Sequence, residues 1–242
     1  MQNKLQNAIQ IDKVLEREEK RFKDYGCICR NLTYGTTKHF PLSDRIKWVY
    51  TKRHFKSIAP VIELMSQRDK YTGEHSVRVS LITYRICMLI EMSKYYRKMI
   101  TLSAFTHDIG KISIPDGILN KEGSLTNEEY EEIKHHPQDG AELLNKQEKY
   151  SYIKDGAMYH HERWDGKGYP TGAKGEQIPF PARIIAIGDS IDAMLSDRPY
   201  RKALTNAECY AEIEKNANIM YEPQLVKIVL ENWNYIIDGI YQ

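Results

Sequence analysis

No stretch of this 242-residue chain approaches the roughly 18 uninterrupted apolar residues of a membrane-crossing helix, so no membrane span is expected. Cysteine is scarce as well: Cys27, Cys29, Cys87 and Cys209 show no C-x-x-C spacing, which argues against a thiolate zinc site or a disulfide framework and for free thiols. The first 25 residues are dense in charge and have no apolar h-region, so no secretory signal is expected and the chain reads as cytoplasmic. Internal repeats and low-complexity tracts are missing, which leaves no basis for a solenoid or a disordered tail. A basic-aromatic motif is missing too, so a nucleic-acid polymer is not an expected partner.

Charge of one sign is also lacking over the whole chain, with 35 Lys+Arg against 33 Asp+Glu. That balance hides an asymmetry. Residues 1–57 hold 13 Lys+Arg against 6 Asp+Glu, and residues 58–242 hold 22 against 27. Solvated helix faces account for the basic segment most simply, since acidic residues interleave with the basic ones. In the acidic remainder, a phosphate-bearing substrate would need local compensation from metal ions or placed arginines.

What is present is an ordinary globular composition, 41% hydrophobic and 28% charged, with helical punctuation nearly throughout. Residues 3–25 suit one amphipathic helix, with Leu5, Ile9, Leu15 and Phe22 near one stripe and Gly26 as its stop. Simple packing or a homodimer contact is the expected use of that stripe. Thr126 with Glu129, and Thr205 with Glu208, have capping-box spacing, while Pro137 and Pro223 stand where a first helical turn begins. Gly110 is expected to end the helix that carries its neighbours. Residues 170–180, PTGAKGEQIPF, form the one place where a small hairpin or structured loop is expected. The fold class is all-α.

The chemistry is concentrated in three clusters. His107 and Asp108 lie in HDIGK at 107–111, with His75 upstream and His136, His160, His161 and Asp189 downstream. Five imidazoles and two carboxylates exceed what one ion can use, and an adjacent His-Asp pair can serve two ions if its carboxylate bridges them and its imidazole binds one. Mixed nitrogen and oxygen donors favour iron or manganese, with zinc as an alternative, over calcium or a thiolate-bound metal. Two nearby ions are a standard device for phosphoester hydrolysis. His160 and His161 are adjacent, so about 100° separates them on a helix, and both reach one centre only near a helix end or with the centre between them. Gly166, Gly168 and Pro170 then force an irregular loop beside them. Asp189 falls among Ile184, Ile185 and Ile187, where an unpaired carboxylate is costly. Asp192, one turn later, would either move a proton or tie together a hydrogen-bond network. Arg198 and Arg201 form a fork suited to phosphates, and Lys111 could neutralise a non-bridging oxygen. Singly, most of these have bland explanations as caps, turns or surface ion pairs.

In combination and in this order, residues 58–242 resemble the HD-GYP branch of the HD phosphohydrolase superfamily. The matching motifs are YTGEHS at 71–76, HDIGKISIPDGIL at 107–119, KEGSLTNEE at 121–129, HHP at 135–137, HHERWDGKGYP at 160–170, and GDSIDAM with DRPYR to Arg201. They cover about three quarters of the chain. The resemblance implies an HD-type helical bundle, preceded by a small helical extension at 1–57 that regulates or dimerises. It also implies hydrolysis of the cyclic dinucleotide cyclic di-GMP. His75, His107, Asp108 and Asp189 match the superfamily's metal ligands, and His136, His160 and His161 match the additional ones. Lys111, Arg198 and Arg201 fall where the family contacts phosphates, and Tyr169 is a candidate for base stacking. Asp192 and Lys111 are candidates for protonating the leaving oxygen. Some members are similar to a three-metal arrangement that uses a glutamate four residues before the first histidine. Here Tyr71 stands there, and a neutral phenol is a poor ligand, so two divalent ions are expected.

Two other readings use the same residues. An HD phosphohydrolase acting on cyclic GMP-AMP or a linear nucleotide would differ in base contacts. A metal-stabilised interaction module would dock a diguanylate cyclase or another signalling protein through the Gly-Tyr-Pro loop, and it would not need the phosphate residues. A diiron oxygenase is disfavoured by Lys111 and the arginines.

Overall fold

The computed structural model describes residues 70–197 and 201–241. The helix expected at 3–25, the 1–57 extension, Arg198 and the Tyr71 side chain lie outside what is described. Among the described residues ten α-helices follow one another: α1 (Lys70–Leu89), α2 (Lys94–Phe105), α3 (Asp116–Leu119), α4 (Asn127–Ile133) and α5 (His136–Asn145), then α6 (Lys154–Tyr159), α7 (Phe180–Leu195), α8 (Asn206–Lys215), α9 (Pro223–Glu231) and α10 (Trp233–Ile237). Three short 3₁₀ segments interrupt them, and the described residues contain no strand, only an isolated bridge between Ala217 and Tyr221. The all-α expectation holds.

The central helix is α1. Its Ile82, Ile86 and Leu89 recur at helical spacing and pack with Ile184, Ile187 and Ile191 of α7 and Leu225 and Val229 of α9. Tyr84 and Met88 face the other way, into a second cluster with Leu102 and Phe105 of α2, Leu144 of α5 and Ala157 of α6. Burying each large aliphatic side chain contributes about 1.5–3 kcal/mol, so α1 is fixed from two sides. The chain leaves α1 through Glu91, at φ 55°, with the Met92 N–H donating back to the Cys87 carbonyl. Both expected capping boxes form, and Pro137 and Pro223 occupy first turns.

One local expectation is corrected. Gly110 does not end a helix: α2 stops at Phe105, and Gly110 lies inside a 3₁₀ segment, Ile109–Ser113. Its small size is required by α5, because a Cβ at Gly110 would stand 1.9 Å from the His136 carbonyl oxygen. That close crossing brings the His-Asp turn against the start of α5. Of the two forms expected for 170–180, the structured loop is the one found, with one 3₁₀ turn at Gly175–Gln177 before α7 begins at Phe180.

Candidate metal centre

Each candidate ligand sits where a helix begins, ends or passes the junction of the two core clusters. His75 is in the first half of α1, His107 and Asp108 follow the end of α2, and His136 opens α5. His160 and His161 leave the C-terminus of α6, the helix-end placement that lets neighbouring histidines serve one centre, and Asp189 is midway along α7.

These side chains converge. His75 Nε2 lies 3.3 Å from His107 Nε2, 3.2 Å from Asp189 Oδ1 and 3.5 Å from Asp108 Oδ2. His107 Nε2 is 3.4 Å from the same Asp108 oxygen. On the other side of that carboxylate, Asp108 Oδ1 stands 3.3 Å from His136 Nε2 and 3.8 Å from His160 Nε2, and those two nitrogens are 3.3 Å apart. His161 joins the second group, with its ring centroid 4.1 Å from that of His160. Donors around a single ion at metal–ligand distances of about 2.0–2.2 Å stand about 3.0–3.5 Å from one another, a range that holds most of these separations, with His160–Asp108 at 3.8 Å and His107–Asp189 at 3.9 Å somewhat wider. One Asp108 oxygen therefore faces each group.

Hydrogen bonding behind the rings strengthens the fit. The Nδ1 atoms of His107, His136 and His160 lie 2.6, 2.7 and 2.8 Å from the carbonyls of Ala104, Ile133 and Ala157, and His75 Nδ1 lies 2.7 Å from Asp192 Oδ2. An Nδ1 facing such an acceptor carries the proton, so in the neutral ring Nε2 presents a lone pair. In the His136–His160 pair, two such lone pairs opposed at 3.3 Å repel unless a cation lies between them. The donor set suits divalent ions, with His75, His107 and Asp189 on one side and His136, His160 and His161 on the other.

Titration behaviour follows from burial and charge. Burial alone would lower His75, but hydrogen bonds to Asp189 and Asp192 outweigh it and raise the ring to about 9. Burial lowers His107, and burial with neighbouring imidazoles lowers His160 well below the usual range and His161 to about 3. For Asp108 burial works upward, yet the Lys111 ammonium and surrounding imidazoles hold the carboxyl well below the usual carboxylate range. Asp189 is lowered against its burial by His75 and His107.

The other expected site residues fall differently. Lys111 Nζ donates to Asp108 Oδ2 at 2.6 Å. Tyr169 stacks on His161, with centroids 4.7 Å apart and planes at 27°. Asp192 is buried behind His75, and its carboxylate also accepts from Arg78 Nε at 2.6 Å and from the Tyr241 hydroxyl at 3.1 Å. The exposed Arg201 guanidinium donates to the Ala193 carbonyl, one turn beyond Asp189 on α7.

Three participants were not singled out from sequence. Arg78 lies three residues after His75, on the same helical face, a spacing that could have marked it. Glu162 is buried, and its Oε1 accepts from Thr171 N at 2.7 Å, Thr171 Oγ1 at 2.8 Å and Gly172 N at 3.1 Å, clasping the Gly-Tyr-Pro loop. The loop folds back so closely that a Cβ at Gly168 would stand 2.4 Å from Glu162 Cα. Tyr241 carries no sequence signal linking it to Asp192.

A family model described as HD domain matches residues 60–225. The "Cyclic di-GMP phosphodiesterase" of Thermotoga maritima is 39% identical over 185 residues, covering 75% of this chain and 50% of that protein. The "3'3'-cGAMP-specific phosphodiesterase 2" of Vibrio cholerae is 36% identical over 172 residues, covering 70% of this chain and 33% of that protein. The chain spans about half, or less, of the length of these curated relatives. Among solved structures, the L. monocytogenes phosphodiesterase PgpH HD domain in complex with cyclic-di-AMP shares the fold, with a TM-score of 0.55 and 20% identity over 76% of this chain and 97% of that one. The chain belongs to the HD domain family, in its HD-GYP branch. Among the described residues no helix is long and apolar enough to cross a membrane.

Proposed function

We propose that this HD-domain chain is a metal-dependent phosphodiesterase that hydrolyses cyclic di-GMP to linear pGpG and/or GMP, using two divalent ions, iron or manganese. The observation that carries the reading is the Asp108 carboxylate, one oxygen turned to each of two groups of imidazoles whose Nε2 lone pairs converge. When bound, two such ions supply activation of water and charge neutralisation at the entering and departing oxygens of a phosphodiester. Mixed nitrogen and oxygen donors support iron or manganese.

The chain's own residues prepare that chemistry. Asp108 is kept ionised by Lys111, and the carbonyls of Ala104, Ile133 and Ala157 fix three of the rings. His75, His107, Asp108, His136 and His160 are buried, so bulk water is excluded from that side. Lys111 and Asp189, with side chains 27% and 19% exposed, and the partly buried His161 and Tyr169 mark the open side where a substrate would enter. There Lys111 can reach a non-bridging phosphate oxygen. Arg201 would leave the Ala193 carbonyl to join it.

A cyclic dinucleotide is supported by the relatives at 39% and 36% identity, named for cyclic di-GMP and 3'3'-cGAMP respectively. The second name also favours cyclic GMP-AMP as a competing substrate. Anaerobically purified protein loaded with iron or manganese should be incubated with cyclic di-GMP, 3'3'-cGAMP and cyclic di-AMP and the products identified. Preferential conversion of cyclic di-GMP to pGpG or GMP is expected; no hydrolysis of any of the three by the metal-loaded protein would refute the reading.

A further inference from the structure

We propose that Tyr130 and Lys134 form, with Tyr169, a guanine-binding subsite on the open side of the centre; the assignment rests on the phosphodiesterase reading above. Lys134 follows α4 and stands two residues before His136. Its Nζ lies 5.7 Å from the Tyr130 ring centroid and 5.6 Å from that of Tyr169. Tyr169 also stacks on His161, within the metal-ligand group. An aromatic and cationic path therefore leads outward from His161 through Tyr169 and Lys134 to Tyr130.

A tyrosine and a lysine four residues apart on a helix are ordinary surface neighbours. Two facts set this pair apart. The same ammonium also approaches Tyr169, which belongs to a loop distant in sequence and lies over the metal-ligand histidines. Tyr130 is 49% exposed, one of two large hydrophobic side chains so exposed among the described residues. Its ring, with the Lys134 ammonium over it, is thus half exposed to solvent beside the proposed nucleotide site.

The chemistry selects a purine, and guanine among purines. Aromatic faces stack on any base, whereas an ammonium donates to the O6 and N7 acceptors of guanine and meets the amino donor at the matching position of adenine. Glu131 holds Lys134 Nζ at 2.9 and 3.1 Å, which orients the ammonium.

The test uses the full-length, metal-loaded protein with Tyr130→Ala, Tyr130→Phe and Lys134→Met. Rates are measured on cyclic di-GMP, cyclic di-AMP and methyl p-nitrophenyl phosphate, which has no base. Tyr130→Ala should raise KM for cyclic di-GMP about tenfold, while Tyr130→Phe keeps it. Lys134→Met should lower the preference for cyclic di-GMP over cyclic di-AMP about tenfold. Metal content and turnover of the base-free diester should stay at the parent level in every variant. An unchanged KM and an unchanged preference in an active enzyme overturn the subsite. Equal losses on the base-free diester overturn it as well, because they would make the residues structural. A parent protein that cleaves the simple diester and no cyclic dinucleotide would instead overturn the substrate assignment beneath it.

Discussion

Replacing Asp192 with asparagine separates a proton-transfer role from a positioning role, and the structure predicts the second. The buried carboxylate accepts from His75 Nδ1 at 2.7 Å, Arg78 Nε at 2.6 Å, Arg78 Nη2 at 3.2 Å and the Tyr241 hydroxyl at 3.1 Å. An amide has one acceptor oxygen. If that oxygen turns to Arg78, the NH2 group meets the Nδ1 proton of His75, and the ring must tilt or move its proton to the ligating Nε2. If it turns to His75, the guanidinium loses a charge-assisted bond worth about 1.5–3 kcal/mol. Either outcome acts on the metal through His75. Partners of a ligating histidine typically change metal affinity by about 10–100-fold, or about 1.4–2.8 kcal/mol. Chelator competition should therefore show metal Kd raised by about that factor in D192N, and kcat should return to within a few-fold of the parent at saturating metal. Tyr241→Phe removes only the 3.1 Å bond and should shift metal Kd by about 2–10-fold. Direct proton transfer predicts the reverse, with metal affinity unchanged and kcat lowered by about 100–10,000-fold. That result would refute the positioning argument.

Asp108→Asn should leave at most one of two ions bound by elemental analysis, abolish turnover and keep the helical circular dichroism; full activity with native metal content would count against the bridge. Metal affinity should fall about tenfold per pH unit as pH drops below about 9, because the ion displaces the His75 proton, with about one proton released in calorimetry across buffers of different ionisation enthalpy. In the metal-free protein the same raised group stabilises the fold in full below its unfolded value near 6.5, and that contribution is lost as pH rises through about 9. Arg201→Ala should raise KM for cyclic di-GMP while retaining metal; unchanged kinetics would leave Arg201 as a partner of the Ala193 carbonyl alone.

The converging histidines and carboxylates were legible in the sequence because costly residue types stood at improbable places: a carboxylate within an isoleucine-rich helix, and adjacent histidines before a glycine-rich loop. Helix starts were legible because Thr126, Thr205, Pro137 and Pro223 act through backbone chemistry a few residues away. Gly110 was misread because its constraint comes from α5, which only the folded chain brings near. Asp192 stayed ambiguous for the same reason. Its partners His75 and Tyr241 lie 117 and 49 residues away, and no local pattern encodes such a contact. Local propensity therefore yielded the elements and the ligand types, while the bonds that orient the ligands had to come from tertiary packing.

The charge inventory of the centre predicts an order of binding. Asp108, Asp189 and Asp192 are all held ionised, and Lys111, Arg78 and the protonated His75 balance them in the metal-free protein. A neutral site of this kind offers a dianionic cyclic dinucleotide little attraction. Two divalent ions displace the His75 proton and leave an excess of three positive charges, which two phosphates reduce to one. At an effective dielectric of about 20, each unit of charge acting over about 5 Å is worth about 3 kcal/mol before solvent screening. Metal should accordingly precede substrate. Chelator-treated protein, checked for an unchanged helical spectrum, should bind cyclic di-GMP at least about tenfold more weakly than the metal-loaded parent protein. Equal affinity of the metal-free and metal-loaded parent proteins in equilibrium dialysis, with hydrolysis suppressed by low temperature, would show that substrate is held by contacts other than this charge.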